Sequence, residues 1–322
     1  MQIALIPKQK IYYTRPNLTT SKHSQVSFGQ SNKPISPKGN GLLKFVLATS
    51  GVLVAAGILG KKYMAKIEQS KMFNPDKTKI REIPKRFKDI MQVVTTKTKD
   101  GLALQHYYIP AQEGKKTVIF CHGVTHNATS FFDAANFLHK NGYGAFLLEY
   151  RGFGKNPGKP SEKGLYKDFN SAVEHLNKQG IKDKDIVLWG FSMGGGVATE
   201  AAKTNRFGGL ILNNTFTSMK EATKHTWNQK PPKNRLAKRI LKALPTGLIP
   251  LNSKFENKAK ISKITTATLI LHAKDDDRVP FDMAEKLAKS NPNARLFISE
   301  KGGHTHIKWT EKEILGFLGG LI

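Results

Sequence analysis

The chain has 322 residues, with 52 Lys and Arg against 24 Asp and Glu, a net charge of +28, and a single Cys. Its 39% hydrophobic content, with 18 Phe, is enough to build a packed core, which excludes wholesale disorder. One Cys excludes an internal disulfide framework and a cysteine-based structural zinc site, while the charge raises nucleic-acid binding as a possibility to be weighed.

The first 67 residues hold ten basic residues and no acid, the first acid being Glu68. Residues 1–41 are rich in Ser, Thr, Asn, Gln, Lys and Pro without a sustained apolar period, and read as a disordered basic arm. The composition then flips at 42–60, LLKFVLATSGVLVAAGILG, where Lys44 is the one charge and Lys61 and Lys62 close the run. Its length approaches the ~20 residues that a bilayer-spanning helix needs. The expectation is a single-pass signal anchor rather than a cleaved signal peptide, whose leading region is usually short. Basic residues at both ends leave the membrane side open. Residues 61–90 are mixed in charge, punctuated by Pro, and read as a linker.

From 91 onward the pattern is that of a folded α/β domain, 91–322. Residues 91–98 and 102–109 form an expected hairpin around Lys99-Asp100-Gly101. Short apolar runs follow at 117–121, 145–150, 186–191, 209–213, 268–273 and 295–298, each before a helical stretch. Near-continuous apolar strands alternating with amphipathic helices predict a mostly parallel, doubly wound sheet led by an antiparallel hairpin. Between 219 and 262 the rhythm breaks, with Trp227, several Pro and a basic segment at 234–244. This reads as a helical lid inserted over the sheet's C-terminal edge, where ligands bind in such folds.

Gly190-Phe191-Ser192-Met193-Gly194 ends an apolar run and opens a helical one. A Ser at a sharp strand-to-helix turn needs small neighbours, and the turn lifts its hydroxyl above the sheet edge. That makes Ser192 a candidate nucleophile, with Gly190 and Gly194 supporting the turn. A Ser nucleophile needs a base, and the base needs an orienting carboxylate. His304 follows Gly302-Gly303 in a loop after the last strand, with His306 as the alternative two residues on. Asp275, Asp276 and Asp277 lie just past the strand at 268–273. The order Ser, Asp, His places all three in loops at strand C-termini, where they can converge. His272 and His126 read as structural or binding residues. For the oxyanion, the backbone N–H of Met193 follows the nucleophile, and the loop His122-Gly123-Val124 after the third strand offers the N–H of Val124. His122 would brace that loop and Gly123 permit close approach. Cys121, at the strand end, reads as buried packing.

The stretches His122-Gly123, 149–154 (EYRGFG), 158–166 (GKPSEKGLY), 190–195 (GFSMGG), 214–218 (NTFTS), 272–280 (HAKDDDRVP) and Gly303-His304 resemble the α/β-hydrolase superfamily. Within it the chain is most similar to the membrane-anchored Bem46-like and ABHD13-like serine hydrolases and the related serine aminopeptidase S33-type domain. The resemblance covers roughly three quarters of the chain and implies a cofactor-free acyl-enzyme mechanism. It places the nucleophile on Ser192, the base on His304 and the orienting acid on Asp276, four residues after His272 and four before Pro280. The chain departs from the family at Ala273, usually Gly, at Val124, often Asn, and at Asn156, often Ser.

The expected function is a membrane-anchored serine hydrolase of the esterase, lipase or thioesterase kind, with peptidase activity included, acting on a small-molecule or lipid acyl substrate. A non-catalytic hydrolase-fold binding or scaffold protein is the alternative, and it would leave a damaged triad. Specific nucleic-acid binding is not expected. No helix-turn-helix or aromatic RNA-binding signature occurs, and beyond the arm the remaining +18 is spread as surface Lys.

Overall fold

The computed structural model describes residues 79–229, 251–305 and 310–321, together with Glu68, Phe73 and scattered positions between 233 and 249. The arm at 1–41, the apolar run at 42–60, most of the helical segment at 234–244 and His306 lie outside the described residues. Among the described residues, no helix is long and apolar enough to cross a membrane.

The hairpin forms as the alternation requires. Strand β1 (Gln92–Lys97) pairs antiparallel with β2 (Ala103–Ile109), Gln92 opposite Tyr108 and Lys97 opposite Ala103. The connecting turn is closed by the Thr98 hydroxyl, which donates to Asp100 at 2.7 Å and accepts from the Leu102 N–H at 3.0 Å. Then come β3 (Thr117–Cys121), a 3-10 turn (Ala128–Phe131) running into α1 (Phe132–Lys140), β4 (Gly144–Leu148) and α2 (Glu162–Lys178). They are followed by β5 (Ile186–Phe191), α3 (Met193–Ala202), β6 (Gly209–Asn213), α4 (Met219–Gln229) and α5 (Asn257–Ile261). The chain closes with β7 (Thr268–Ala273), α6 (Asp282–Lys289), β8 (Ala294–Ser299) and α7 (Glu311–Gly319).

The eight strands lie in the order β1-β2-β4-β3-β5-β6-β7-β8. Only β1 with β2 and β2 with β4 pair antiparallel, and every pair from β4 to β8 is parallel. The fourth strand ends at Leu148, two residues short of the apolar run at 145–150, where the chain turns: Tyr150 is buried and its carbonyl accepts from Phe153 N–H at 3.1 Å.

Every residue of β3 through β7 is buried, as a sheet covered on both faces demands. Alternate side chains feed two cores. Ile119, Leu188 and Leu210 point toward α2, α3 and α6, where Leu165, Phe169, Val197 and Met283 meet them. Val118, Phe120, Val187 and Trp189 point the other way, against Phe132, Leu138 and Phe317 of α1 and α7. Each such buried Leu or Phe contributes about 1.5–3 kcal/mol relative to exposure.

Ser161 caps α2 by accepting from the Gly164 N–H at 3.2 Å, and Asn127 caps the 3-10 turn by accepting from Thr129 N–H at 3.0 Å. Asn156, which stands where the family often has Ser, is buried. Its side-chain amide donates to the carbonyls of Gln105 and Glu149, both at 3.1 Å, and its oxygen accepts from Gln105 N–H. It therefore laces the β2 edge to the turn after β4.

The stretch expected as a linker sends some of its side chains into the domain. Phe87, in a short 3-10 helix (Lys85–Phe87), enters the second core beside Phe132, and Phe73 enters the first. Apolar residues spaced too irregularly for a helix or strand carried this packing, and so gave no periodic signal.

Candidate active site

Ser192 occupies the sharp turn between β5 and α3, with φ 52° and ψ −119°. A non-glycine residue in this left-handed region is strained by roughly 1–3 kcal/mol. The surroundings hold it there. Ser192 N–H donates to Asn213 O at 2.9 Å, and its carbonyl accepts from the Thr215 hydroxyl at 2.7 Å and from Gly195 N–H at 3.0 Å. The two flanking glycines are required by space. A Cβ on Gly194 would lie 1.9 Å from Cys121 O, and one on Gly190 would lie 2.5 Å from Gly195 Cα.

The Ser192 hydroxyl lies 3.0 Å from His304 Nε2, and His304 Nδ1 lies 2.8 Å from Asp276 Oδ2. With Asp276 ionised, the Nδ1 proton is donated to the carboxylate, and Nε2 is left as an acceptor for the Ser192 O–H. Asp276 is nearly buried, and burial pushes its carboxyl up. The hydrogen bond and charge of His304 and the amides of Val279 and Arg278 outweigh that and hold it below the usual value. Those amides reach its other oxygen at 2.9 and 2.8 Å. Of the neighbouring acids, Asp275 accepts from Gly303 N–H at 2.7 Å and so steadies the histidine loop, while Asp277 is exposed.

His272 Nε2 donates to Val279 O at 2.8 Å and lies 3.5 Å from Asp276 Oδ2. Burial lowers its pKa below the ordinary value, so the ring is neutral behind the carboxylate. Its role is to fix the loop that carries Asp276.

Gly123 lies against the serine turn, where a Cβ would come 3.2 Å from Ser192 Cβ and from the Phe191 ring. His122 is fully buried. Its Nδ1 donates to Gly123 O at 2.8 Å, and its Nε2 faces Glu149 Oε1 at 3.0 Å. Both ring nitrogens thus face oxygen atoms, which fixes the plane of the ring. The second Glu149 oxygen accepts from Ala128 N–H at 3.1 Å, which ties both ends of the 122–128 loop to one side chain. Met193 opens α3, so its N–H belongs to the first turn, where helix amides lack intrahelical partners. Val124 and Met193 both line the cavity at Ser192. Cys121 lies beneath the serine turn, fully enclosed, and burial pushes its thiol up to about 12, which keeps it un-ionised.

A cavity of about 580 Å³ opens at Ser192 and His304. Its walls are mainly apolar and include Phe216, Met219, Trp227 and Leu251, with Arg278 and His126 among the polar lining residues. His126 stacks edge-on against Phe131 and Phe191. Burial first, then the nearby His122 and Arg278, push its pKa down to about 4. Helix α4 of the inserted segment therefore supplies one wall of the cavity. Among the described residues no group of three or more His, Cys, Asp or Glu could hold a metal ion.

The structure brings together Ser192, His304 and Asp276, with Gly123, Val124 and Met193 beside them. Three supporting residues, Glu149, Thr215 and Asn214, lie in stretches that carry the family resemblance, but the sequence assigned them no role. Asn214, at φ 47°, donates to the carbonyls of Gly303 and His304 at 3.0 and 2.9 Å and accepts from Ala273 N–H at 3.1 Å. Its place straight after the apolar strand β6, in the family-matching stretch 214–218, was the available signal.

Residues 112–260 match the family described as Serine aminopeptidase, S33. The uncharacterized protein Rv2307c of Mycobacterium tuberculosis is 30% identical over 217 residues, covering 66% of this chain and 71% of that one. Protein bem46 of Schizosaccharomyces pombe is 32% identical over 182 residues, covering 52% and 58%. Human protein ABHD12B is 31% identical over 199 residues, covering 58% and 53%. Among solved structures, the Pyrococcus furiosus esterase Pf2001 superposes with a TM-score of 0.61 at 22% identity, over 78% of this chain and 98% of the esterase. An alpha-beta hydrolase from Vibrio vulnificus superposes with a TM-score of 0.60 at 24% identity, over 82% and 93%.

Proposed function

This chain belongs to the α/β-hydrolase superfamily, in its Bem46-like group, and from that premise we propose that it is a membrane-anchored serine hydrolase that cleaves an ester, thioester or amide through an acyl-enzyme. The observation that carries the reading is the unbroken hydrogen-bond series from Ser192 through His304 to Asp276, at 3.0 and 2.8 Å, opening on an apolar cavity.

Ser192 Oγ attacks the acyl carbon as its proton passes to His304 Nε2. Asp276 stabilises the imidazolium that forms and keeps the ring in the productive tautomer. The oxyanion of the tetrahedral intermediate is received by the N–H groups of Met193 and Val124, each donor lowering the barrier by about 3–4 kcal/mol. His304 then returns the proton to the departing alkoxide, thiolate or amine. Water, deprotonated by the same nitrogen, releases the acid and restores Ser192. No step calls for a cofactor.

The apolar walls around Phe216, Trp227 and Leu251 suit an acyl chain. The 42–60 run supplies the anchor, and the basic residues that flank it suit an anionic membrane surface. The segment at 219–262 acts as the lid.

The test uses the purified protein in detergent, a fluorophosphonate probe and p-nitrophenyl esters. Wild-type protein should be labelled and should turn over ester, and Ser192→Ala should do neither. Equal labelling and turnover in the two proteins would overturn the assignment.

A further inference from the structure

The cavity at Ser192 has one wall that the hydrolase domain does not hold by itself. Leu251 lines the cavity and is buried, and the chain that follows it, 252–257, runs back toward β7. Its backbone amides are claimed by two carboxylates. Glu162, in the first turn of α2, accepts from Lys254 N–H at 2.6 Å and from Phe255 N–H at 3.1 Å. Glu68, from outside the sheet domain and 184 residues away in sequence, accepts from the Asn252 and Ser253 N–H groups.

Phe255 needs this restraint. It has φ 42°, a left-handed conformation that bulky residues rarely adopt and that unrestrained chain would leave. Its ring is fully buried between Phe73, at a centroid distance of 6.4 Å, and Phe216, also at 6.4 Å, with Tyr166 edge-on at 6.2 Å. Phe216 is itself a wall of the cavity. Phe73 and Glu68 are joined by a hydrogen bond from Phe73 N–H to Glu68 O of 2.9 Å. A continuous packed series thus runs from Glu68 and Phe73, through 252–255, to Leu251 and Phe216 at the cavity.

We propose that Glu68 and Phe73 are specificity-determining positioning residues, which set the wall formed by Leu251 and Phe216 and thereby the acyl length that the site accepts. This rests on the hydrolase reading for its substrate, but the contact series stands independently of it. Neither residue touches the reacting atoms. They act through 252–255, so their loss lets Leu251 and Phe216 relax into the space where the far end of a long acyl chain would lie. The same contacts join the chain that precedes the sheet domain to the substrate-binding wall.

The experiment measures kcat and KM for p-nitrophenyl acetate through decanoate with the full chain in detergent, for wild type, Glu68→Ala, Glu68→Gln and Phe73→Ala. In Glu68→Ala and Phe73→Ala the decanoate-to-acetate ratio of kcat/KM should fall by roughly five-fold or more, carried by KM. Gln at 68 keeps a carbonyl acceptor for the two amides, and should return that ratio to within roughly two-fold of wild type. An unchanged ratio in both Ala variants, or equal losses at every chain length, would overturn the proposal. Amide hydrogen exchange gives a readout free of catalysis. Asn252 and Ser253 should exchange faster in Glu68→Ala, and unchanged exchange there counts against it. If Phe73→Ala does not fold, Phe73→Leu takes its place in both measurements. Wild-type protein without Ser192-dependent turnover would defeat the hydrolase reading and leave the exchange result to decide this one.

Discussion

Asn214 grips the backbone of His304: its side-chain amide donates to the His304 carbonyl at 2.9 Å and to that of Gly303 at 3.0 Å. The same side chain accepts from Ala273 N–H, at the end of the strand that delivers Asp276. One residue thus sets the separation between His304 and Asp276 without touching either side chain's functional group.

Replacing Asn214 by Gly tests this role, because Gly accepts the φ of 47° without strain while removing the clamp. The variant should fold, and its kcat should drop by up to about 100-fold, since misplacing a catalytic group by an ångström costs about that much. Steady-state turnover of a short ester measures it. A kcat equal to wild type would show that the histidine loop holds itself.

Stability should decline on mild acidification. His106 is fully buried. Its Nδ1 accepts from Glu149 N–H at 3.1 Å and its Nε2 donates to the Thr96 hydroxyl at 2.9 Å. Burial, and secondarily the charge of His175, push its pKa down to about 3. An unfolded His takes up its proton near 6.5. Between these values the unfolded chain binds the extra proton, so the contribution is fully present above about pH 6.5 and is lost as pH falls toward 3. The slope from this residue approaches 1.4 kcal/mol per pH unit. His126, pushed down to about 4 by burial first, adds in the same direction. Asn at 106 keeps an acceptor for Glu149 N–H but cannot titrate. Thermal midpoints between pH 7 and 4 should therefore fall less steeply in His106→Asn than in wild type, and parallel curves would refute this.

The serine turn tolerates no added methyl at Gly194. The new Cβ would meet the backbone at the end of β3, 1.9 Å from Cys121 O and 2.8 Å from His122 O, and neither can rotate away. Gly194→Ala should unfold the protein or destabilise it by more than about 4 kcal/mol. Near-UV circular dichroism and a thermal melt report it. A variant with a wild-type melting temperature would mean that β3 can move away from the turn.

How much of this could be read from the amino acids depends on whether a signal was local. The parallel strands were legible because burial on both faces forces unbroken apolar runs such as 186–191, and the residues 190–194 marked the serine turn because only glycines fit its packing. The sheet order was not legible. It follows from long-range pairing, such as Thr117 with both Gly144 and Ile186, which no short window contains. Asp276 stood out from Asp275 and Asp277 only through its family position, because three adjacent acids differ by which one the turn directs at His304. Glu149 and Asn214 were hidden for the same reason, since their partners lie 27 and 90 residues away. The burial of Glu68 and Phe73 left no periodic trace, because one acid and one ring make no pattern.

The separation of 112 residues between Ser192 and His304, bridged by three strands' ends, has a practical meaning. The arrangement of Ser192, His304 and Asp276 has no existence in any fragment that lacks β7 or β8, and a nascent chain does not complete it until its last strand has docked. On the proposed mechanism, reaction with a serine-directed probe would count completely assembled molecules, and could serve as a census of correct folding during expression or after heat stress.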